Sequence, residues 1–123
     1  MDIQSVKDYC LSLTGSSLRE EAAPYNRLVY LVANKPFAYF KTSAPEQWRF
    51  SIKVSPESFI ELTDQAGIKP ARYMHRFYWI TIVDVGSVHT AHLKQWIDWS
   101  YHKALNSLSK KMQLALATTT THN

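Results

Sequence analysis

The chain has 123 residues, 46% of them hydrophobic and 20% charged, with a net charge of +4. That is the composition of one globular domain, able to bury roughly two-thirds of the surface its unfolded chain exposes, and not that of a disordered protein. The lone Cys10 excludes an internal disulfide and a zinc site built from cysteines.

Asp2 is a good helix N-cap, and Ile3, Val6, Cys10 and Leu13 follow on one helical face, with Gly15 as the stop. On this reading Cys10 is a buried small hydrophobe and not a reactive thiol. Residues 16–26 are mixed, and Ala22 to Tyr25 read as a loop entering a sheet. Leu28 to Ala33 is an apolar, β-branched run, Asn34-Lys35 reads as a turn, and Pro36 to Thr42 is a second run. After a connection at Ser43 to Gln47, Trp48, Phe50, Ile52 and Val54 alternate with polar residues. This is the clearest strand, and with the two runs before it an antiparallel meander is expected.

Ser55-Pro56-Glu57 is a helix start: an N-cap, a proline at the first helical position and an acid in the first turn. Gly67 ends that helix. Lys69 to Phe77 is irregular and basic, and Tyr78 to Val85 reads as a strand. His89 to Lys111 reads as one long helix. Its apolar stripe comprises Leu93, Trp96, Ile97, Tyr101, Ala104, Leu105 and Leu108, and Ser100 on the same stripe would let the helix approach a sheet closely. Residues 1–116 are expected to form the single domain, and 117–123, with four consecutive threonines, a disordered tail. The Asp2-led, amphipathic start and the absence of an apolar run of roughly 20 residues point to a cytoplasmic protein without a membrane span.

The expected architecture is α+β: a two-layer fold in the order α-β-β-β-α-β-α, with an antiparallel sheet covered on one face by helices. Four strings along it resemble the MmcQ/YjbR family of small bacterial proteins. They are Asn34-Lys35-Pro36-Phe37-Ala38, Ile52 to Glu57, Pro70-Ala71-Arg72-Tyr73-Met74 followed by Trp79, and Ser100-Tyr101 followed by Leu108-Ser109-Lys110-Lys111. They occur in the family's order over residues 28–111; Arg76-Phe77-Tyr78 and the Asn34 turn depart from its pattern. The resemblance implies a secretion-chaperone-like arrangement of helices on a sheet, and it brings the DNA-binding label that members of the family often carry.

Charge is unevenly placed. Residues 1–67 hold seven Lys/Arg against eight Asp/Glu (−1), and residues 68–123 hold seven against two (+5). A basic half attracts polyanions. Lys69, Arg72 and Arg76 are interleaved with Tyr73, Phe77 and Tyr78, a mixture suited to phosphates and to exposed bases. Arg49 and Lys53 share the solvent side of their strand, and Lys110 and Lys111 sit at the end of the long helix. The expected nucleic-acid-binding set is therefore Arg49, Lys53, Lys69, Arg72, Arg76, Lys110 and Lys111, acting on DNA phosphates without sequence preference. The bland alternative is that Tyr73, Phe77 and Trp79 pack in the core and the charges are merely solvated.

A second reading is a protein-interaction module, using the open sheet face or Trp99 on the flank of the long helix. An enzyme finds little support. His89 and His92 lack a carboxylate at ligand spacing, and there is no nucleophile elbow, glycine-rich phosphate loop or Cys–His signature. No cofactor or metal is expected, and a monomer is.

Overall fold

The computed structural model describes residues 1–121, with the side chains through Leu116. Helix α1, Ile3–Ser12, starts where Asp2 accepts a bond from the Ser5 amide at 2.7 Å, and it buries Val6 and Cys10 completely. Strands β1 (Ser16–Glu21), β2 (Arg27–Val32), β3 (Lys35–Lys41) and β4 (Phe50–Lys53) follow. Helix α2, Pro56–Thr63, begins with Ser55 accepting from the Ser58 amide at 3.1 Å. Then come β5 (Ile68–Pro70), β6 (Trp79–Ile82), α3 (Thr90–Asn106) and α4 (Lys110–Thr121). Among the described residues no helix is long and apolar enough to cross a membrane.

The six strands form one antiparallel sheet in the order β1-β2-β3-β4-β6-β5. The expected α+β architecture and the β2-β3-β4 meander are present. Phe40, Phe50, Ile82 and Ile68 lie level across four strands, and Ala38, Ile52 and Ile80 lie level beside them across three. These rows form the helix side of the sheet, and their members are buried to 6% exposure or less. α3 lies across β3 and β4 on that side, with Leu93, Ile97, Ser100 and Tyr101 turned inward as the apolar stripe required. α1 is tied to α3 where the Tyr9 hydroxyl donates to Asp98 at 2.6 Å. Full burial of each large apolar side chain contributes roughly 1.5–3 kcal/mol, so this layer dominates stability.

Two edge strands were not expected. β1 reads SSLREE and is exposed along most of its length. It pairs with β2 through its backbone, and its side chains carry no alternation to betray it. β5 has three residues, and its Pro70, lacking an amide hydrogen, suits an edge. The hairpin turn is shifted by one residue. Ala33 and Asn34, with φ of +46° and +66°, are its central pair, and Lys35 already belongs to β3. Two consecutive left-handed residues are what a tight hairpin turn requires.

The long helix is also shorter than its pattern. α3 stops at Asn106, where the Ser107 hydroxyl bonds back to the Ala104 carbonyl at 2.6 Å. Ser109 then opens α4, accepting from the Met112 amide at 3.3 Å. Lys110 and Lys111 thus stand in the first turn of a new helix, an end at which the dipole disfavours cations, and not at the close of the old one. α4 carries the backbone through Thr121, across the first part of the segment expected as a tail; His122 and Asn123 lie outside the described residues.

Candidate functional site

The sheet face turned away from α1 and α3 carries the site. Sheet register makes its floor: Lys69, Thr81, Ser51, Tyr39 and Val29 lie level from β5 to β2. The Ser51 and Thr81 hydroxyls share a hydrogen bond of 2.7 Å, which satisfies both at the centre of the floor. One pleat along, Arg27 lies opposite Lys41. The Lys41 amide in turn bonds the Arg49 carbonyl at 2.9 Å. Side chains two apart on a strand share a face, so Arg27, Lys41 and Arg49 stand in a row beside the Tyr39–Ser51 row.

All of these residues but Val29 line a concave cavity of about 600 Å³, walled by Pro24 and Tyr25 on one side and by Pro70, Arg72 and Tyr73 on another. Five cationic side chains reach it: Arg27, Lys41, Arg49, Lys69 and Arg72. Glu46 is the acid in the lining, and it is shared. One of its oxygens lies 3.3 Å from Arg49 and the other 3.4 Å from Arg72. Arg27 is held from behind by Glu21 at 2.6 Å, and Glu21 also takes Arg19 at 3.1 Å. Lys41 donates to the Tyr25 carbonyl at 2.7 Å, fixing the loop after β1 as a wall. Lys69 makes no ion pair among the described residues.

The aromatic rings divide by role. Tyr39 stacks on Trp79 with ring centres 5.7 Å apart and has the Arg27 guanidinium 5.0 Å from its centroid. It is therefore part of the floor. Tyr25 and Tyr73 are 61% and 81% exposed and are the rings free to meet a ligand. The bland alternative for the basic segment holds for Trp79, which is buried, and fails for Tyr73 and for Phe77, which is 48% exposed. The reason is local. A 3₁₀ turn at His75–Phe77, flanked by left-handed Tyr73 and Tyr78, carries this segment past the end of β4, where the Tyr78 carbonyl accepts from the Val54 amide at 2.9 Å, before β6 begins.

Of the residues singled out from sequence, the cavity brings together Arg49, Lys69 and Arg72. Lys53 is on the same sheet face but lines a second cleft, where its ammonium donates to the Phe77 carbonyl at 2.9 Å. Arg76 is exposed, with its guanidinium 5.3 Å from the Phe77 ring, and lines neither cavity. Lys110 and Lys111 are exposed on α4 and line neither. Sequence reasoning missed Arg27, Lys41 and Glu46. The first two lie six residues before and seven after the Ala33-Asn34 turn, and they face each other only because the register shifts by one residue after Tyr30, which no local pattern marks. His89 has a structural task, its Nδ1 accepting from the Ala91 amide at 3.3 Å at the start of α3. Burial pushes the Cys10 thiol up to about 12, consistent with an inert core cysteine.

Solved structures share this fold. The crystal structure of Deinococcus radiodurans protein DR2400, with a DUF419 domain, superposes with a TM-score of 0.80 at 22% identity, covering 94% of this chain and 88% of that one. A crystal structure of a Pseudomonas syringae protein matches with a TM-score of 0.67 at 19% identity, covering 85% of this chain and 99% of that one. At such identities the likeness carries the fold alone. No curated protein matches the chain. The family model described as YjbR matches residues 11–103, the span from the last turn of α1 through most of α3, and the chain belongs to the YjbR family.

Proposed function

We propose that the protein binds DNA through its backbone phosphates, in the basic groove on the open face of the sheet. The observation that supports this reading is the row Arg27, Lys41 and Arg49 beside Lys69 and Arg72, five cations around one concavity with Glu46 as the acid in its lining. Arginine forks suit phosphate oxygens, and lysines add point charge. Tyr25 and Tyr73 on the walls offer exposed rings to unpaired bases, an interaction every base can make. Contacts of this kind bind without sequence preference and weaken steeply with salt.

A mobility-shift titration at low salt, with duplex and with single-stranded DNA, tests the reading. The wild type is expected to shift DNA, and a Lys69→Met/Arg72→Met variant to shift it at markedly higher protein concentration. Absence of any shift by the wild type removes the reading. The alternative of a protein partner draws on a specific observation as well: Tyr73 and Phe77 are both exposed on the segment between β5 and β6, and exposed aromatics are common interface anchors. A Tyr73→Ser variant that keeps its affinity for DNA but loses a co-purifying protein would favour that alternative.

A further inference from the structure

The second cleft lies where the C-terminal half of α3 passes the end of the sheet, and it measures about 330 Å³. Its apolar wall is Met74, Phe77, Trp79 and Ala104, and its charged rim is Lys35, Lys53 and Lys103. No Asp or Glu lines it, and none of the three lysines makes an ion pair among the described residues. None of the three belongs to the basic groove, and the Tyr39–Trp79 stack joins the two sites back to back: Tyr39 lines the groove and Trp79 the cleft.

We propose that this cleft binds a small organic carboxylate with an apolar body, of the fatty-acid type, its head between Lys53 and Lys103 and its tail along Phe77 and Trp79. Three features lead there. The Lys53 ammonium is held in place by its 2.9 Å bond to the Phe77 carbonyl, which leaves two of its donors for a ligand. The buried polar group at the back of the cleft, the Ser100 hydroxyl, is already satisfied: it donates to the Phe37 carbonyl and accepts from the Lys53 amide. A ligand's polar head is therefore served by the rim and not by the floor. Phe77, 48% exposed, and buried Trp79 give an apolar strip that a polar anion such as phosphate would leave unused.

The electrostatics agree with that geometry. Burial, and then the neighbouring Lys103, hold the Lys53 ammonium below the usual lysine range. Like charges gathered on an apolar wall without a counter-ion are costly, and a bound carboxylate removes that cost.

The test is an amide and indole NMR titration of the full chain with octanoate, with octylammonium and inorganic phosphate as parallel probes. Octanoate is expected to give saturable shifts at the Trp79 indole N–H and at the Lys53 and Lys103 amides, and octylammonium none. Lys103→Met, a change on an exposed helix position, is expected to weaken octanoate binding about tenfold, the loss of one charge-assisted bond. Lys35→Met provides a second variant with little risk to folding. The proposal is overturned if octanoate leaves these signals unmoved at millimolar concentration. It is equally overturned if octylammonium moves them as strongly, if inorganic phosphate binds as tightly as octanoate, or if both lysine variants bind octanoate like the wild type.

Discussion

The hydroxyl of Ser100 stands in the sheet ladder between β3 and β4: it accepts from the Lys53 amide at 3.1 Å and donates to the Phe37 carbonyl at 2.6 Å. Those two backbone groups would otherwise bond each other, one rung beyond the Ala38–Ile52 pair. The extra residue in β3, where pairing shifts after Tyr30 and leaves Phe37 without a partner in β2, marks the same place. Helix α3 thus supplies the rung that the strands lack. Ser100→Ala leaves a buried carbonyl and an amide unpaired and should cost about 2–4 kcal/mol in urea denaturation. Tyr101→Phe, next along, should cost only about 1 kcal/mol, because the Thr14 carbonyl it frees is at an exposed residue and can turn to water.

Gly15 is the seat of α4. Its φ is +73°, and a Cβ there would lie 2.9 Å from a methyl carbon of Leu116. Gly15→Ala should destabilise by about 1–2 kcal/mol from the left-handed backbone, with a further loss as Leu116 is pushed aside. In a Leu116→Ala background only the backbone part should remain. A double-mutant cycle by thermal or chemical denaturation measures the difference, and additive effects would show that α4 does not pack there.

Stability should fall in alkali, beginning with Cys10. Its thiol is pushed by burial from 9.0 to about 12. Below pH 9 the thiol is protonated in both states and titration contributes nothing to the slope. Above it the unfolded chain releases a proton that the folded chain keeps, so unfolding gains. The tyrosines whose phenols are raised, Tyr9, Tyr30 and Tyr101, start from 10.0 and act above the thiol, whereas Lys53, lowered from 10.5 by burial, acts in the opposite sense, so the thiol's share is the difference in slope between the wild type and Cys10→Ala. Cys10→Ala should lower the overall stability by opening a small cavity yet flatten its decline above pH 9. An unchanged slope in the alanine variant would assign the decline elsewhere.

Much of this was legible in the sequence where local chemistry decides. Ser55-Pro56-Glu57 starts α2, Phe50 and Ile52 alternate inward, and the Leu93-to-Tyr101 stripe buries as its spacing demands. What was not legible depends on partners distant in sequence. β1 is a strand only because β2 offers it a ladder, and the end of α3 is hidden because the apolar spacing runs on through Leu105 and Leu108 while the backbone turns at Ser107. The groove is the same kind of case. Arg49, Lys69 and Arg72 were in view, but Arg27 and Lys41 join them only through register, and Glu46 only through a loop folded over the sheet.

Glu46 should act as a brake on the groove. It neutralises parts of Arg49 and Arg72 at 3.3 and 3.4 Å. Glu46→Gln should leave stability within about 1 kcal/mol, as partly exposed ion pairs contribute little. It should tighten DNA binding several-fold at low salt and steepen the salt dependence, since freed guanidiniums take phosphates. Fluorescence anisotropy with a labelled oligonucleotide reads both, and weaker binding by the glutamine variant would mean the carboxylate orders the arginines more than it opposes the ligand.

The most direct test of the groove is the salt slope of DNA affinity, measured by anisotropy between about 50 and 200 mM salt. Wild type, Lys69→Met/Arg72→Met and Lys110→Met/Lys111→Met are compared. Loss of two groove phosphate contacts should reduce the slope by about 1–2 and weaken binding at least tenfold at low salt, alike for all sequences. The Lys110/Lys111 variant should behave like the wild type. Equal behaviour of the groove variant and the wild type, or a loss confined to the Lys110/Lys111 variant, would contradict the assignment of DNA binding to the open face of the sheet.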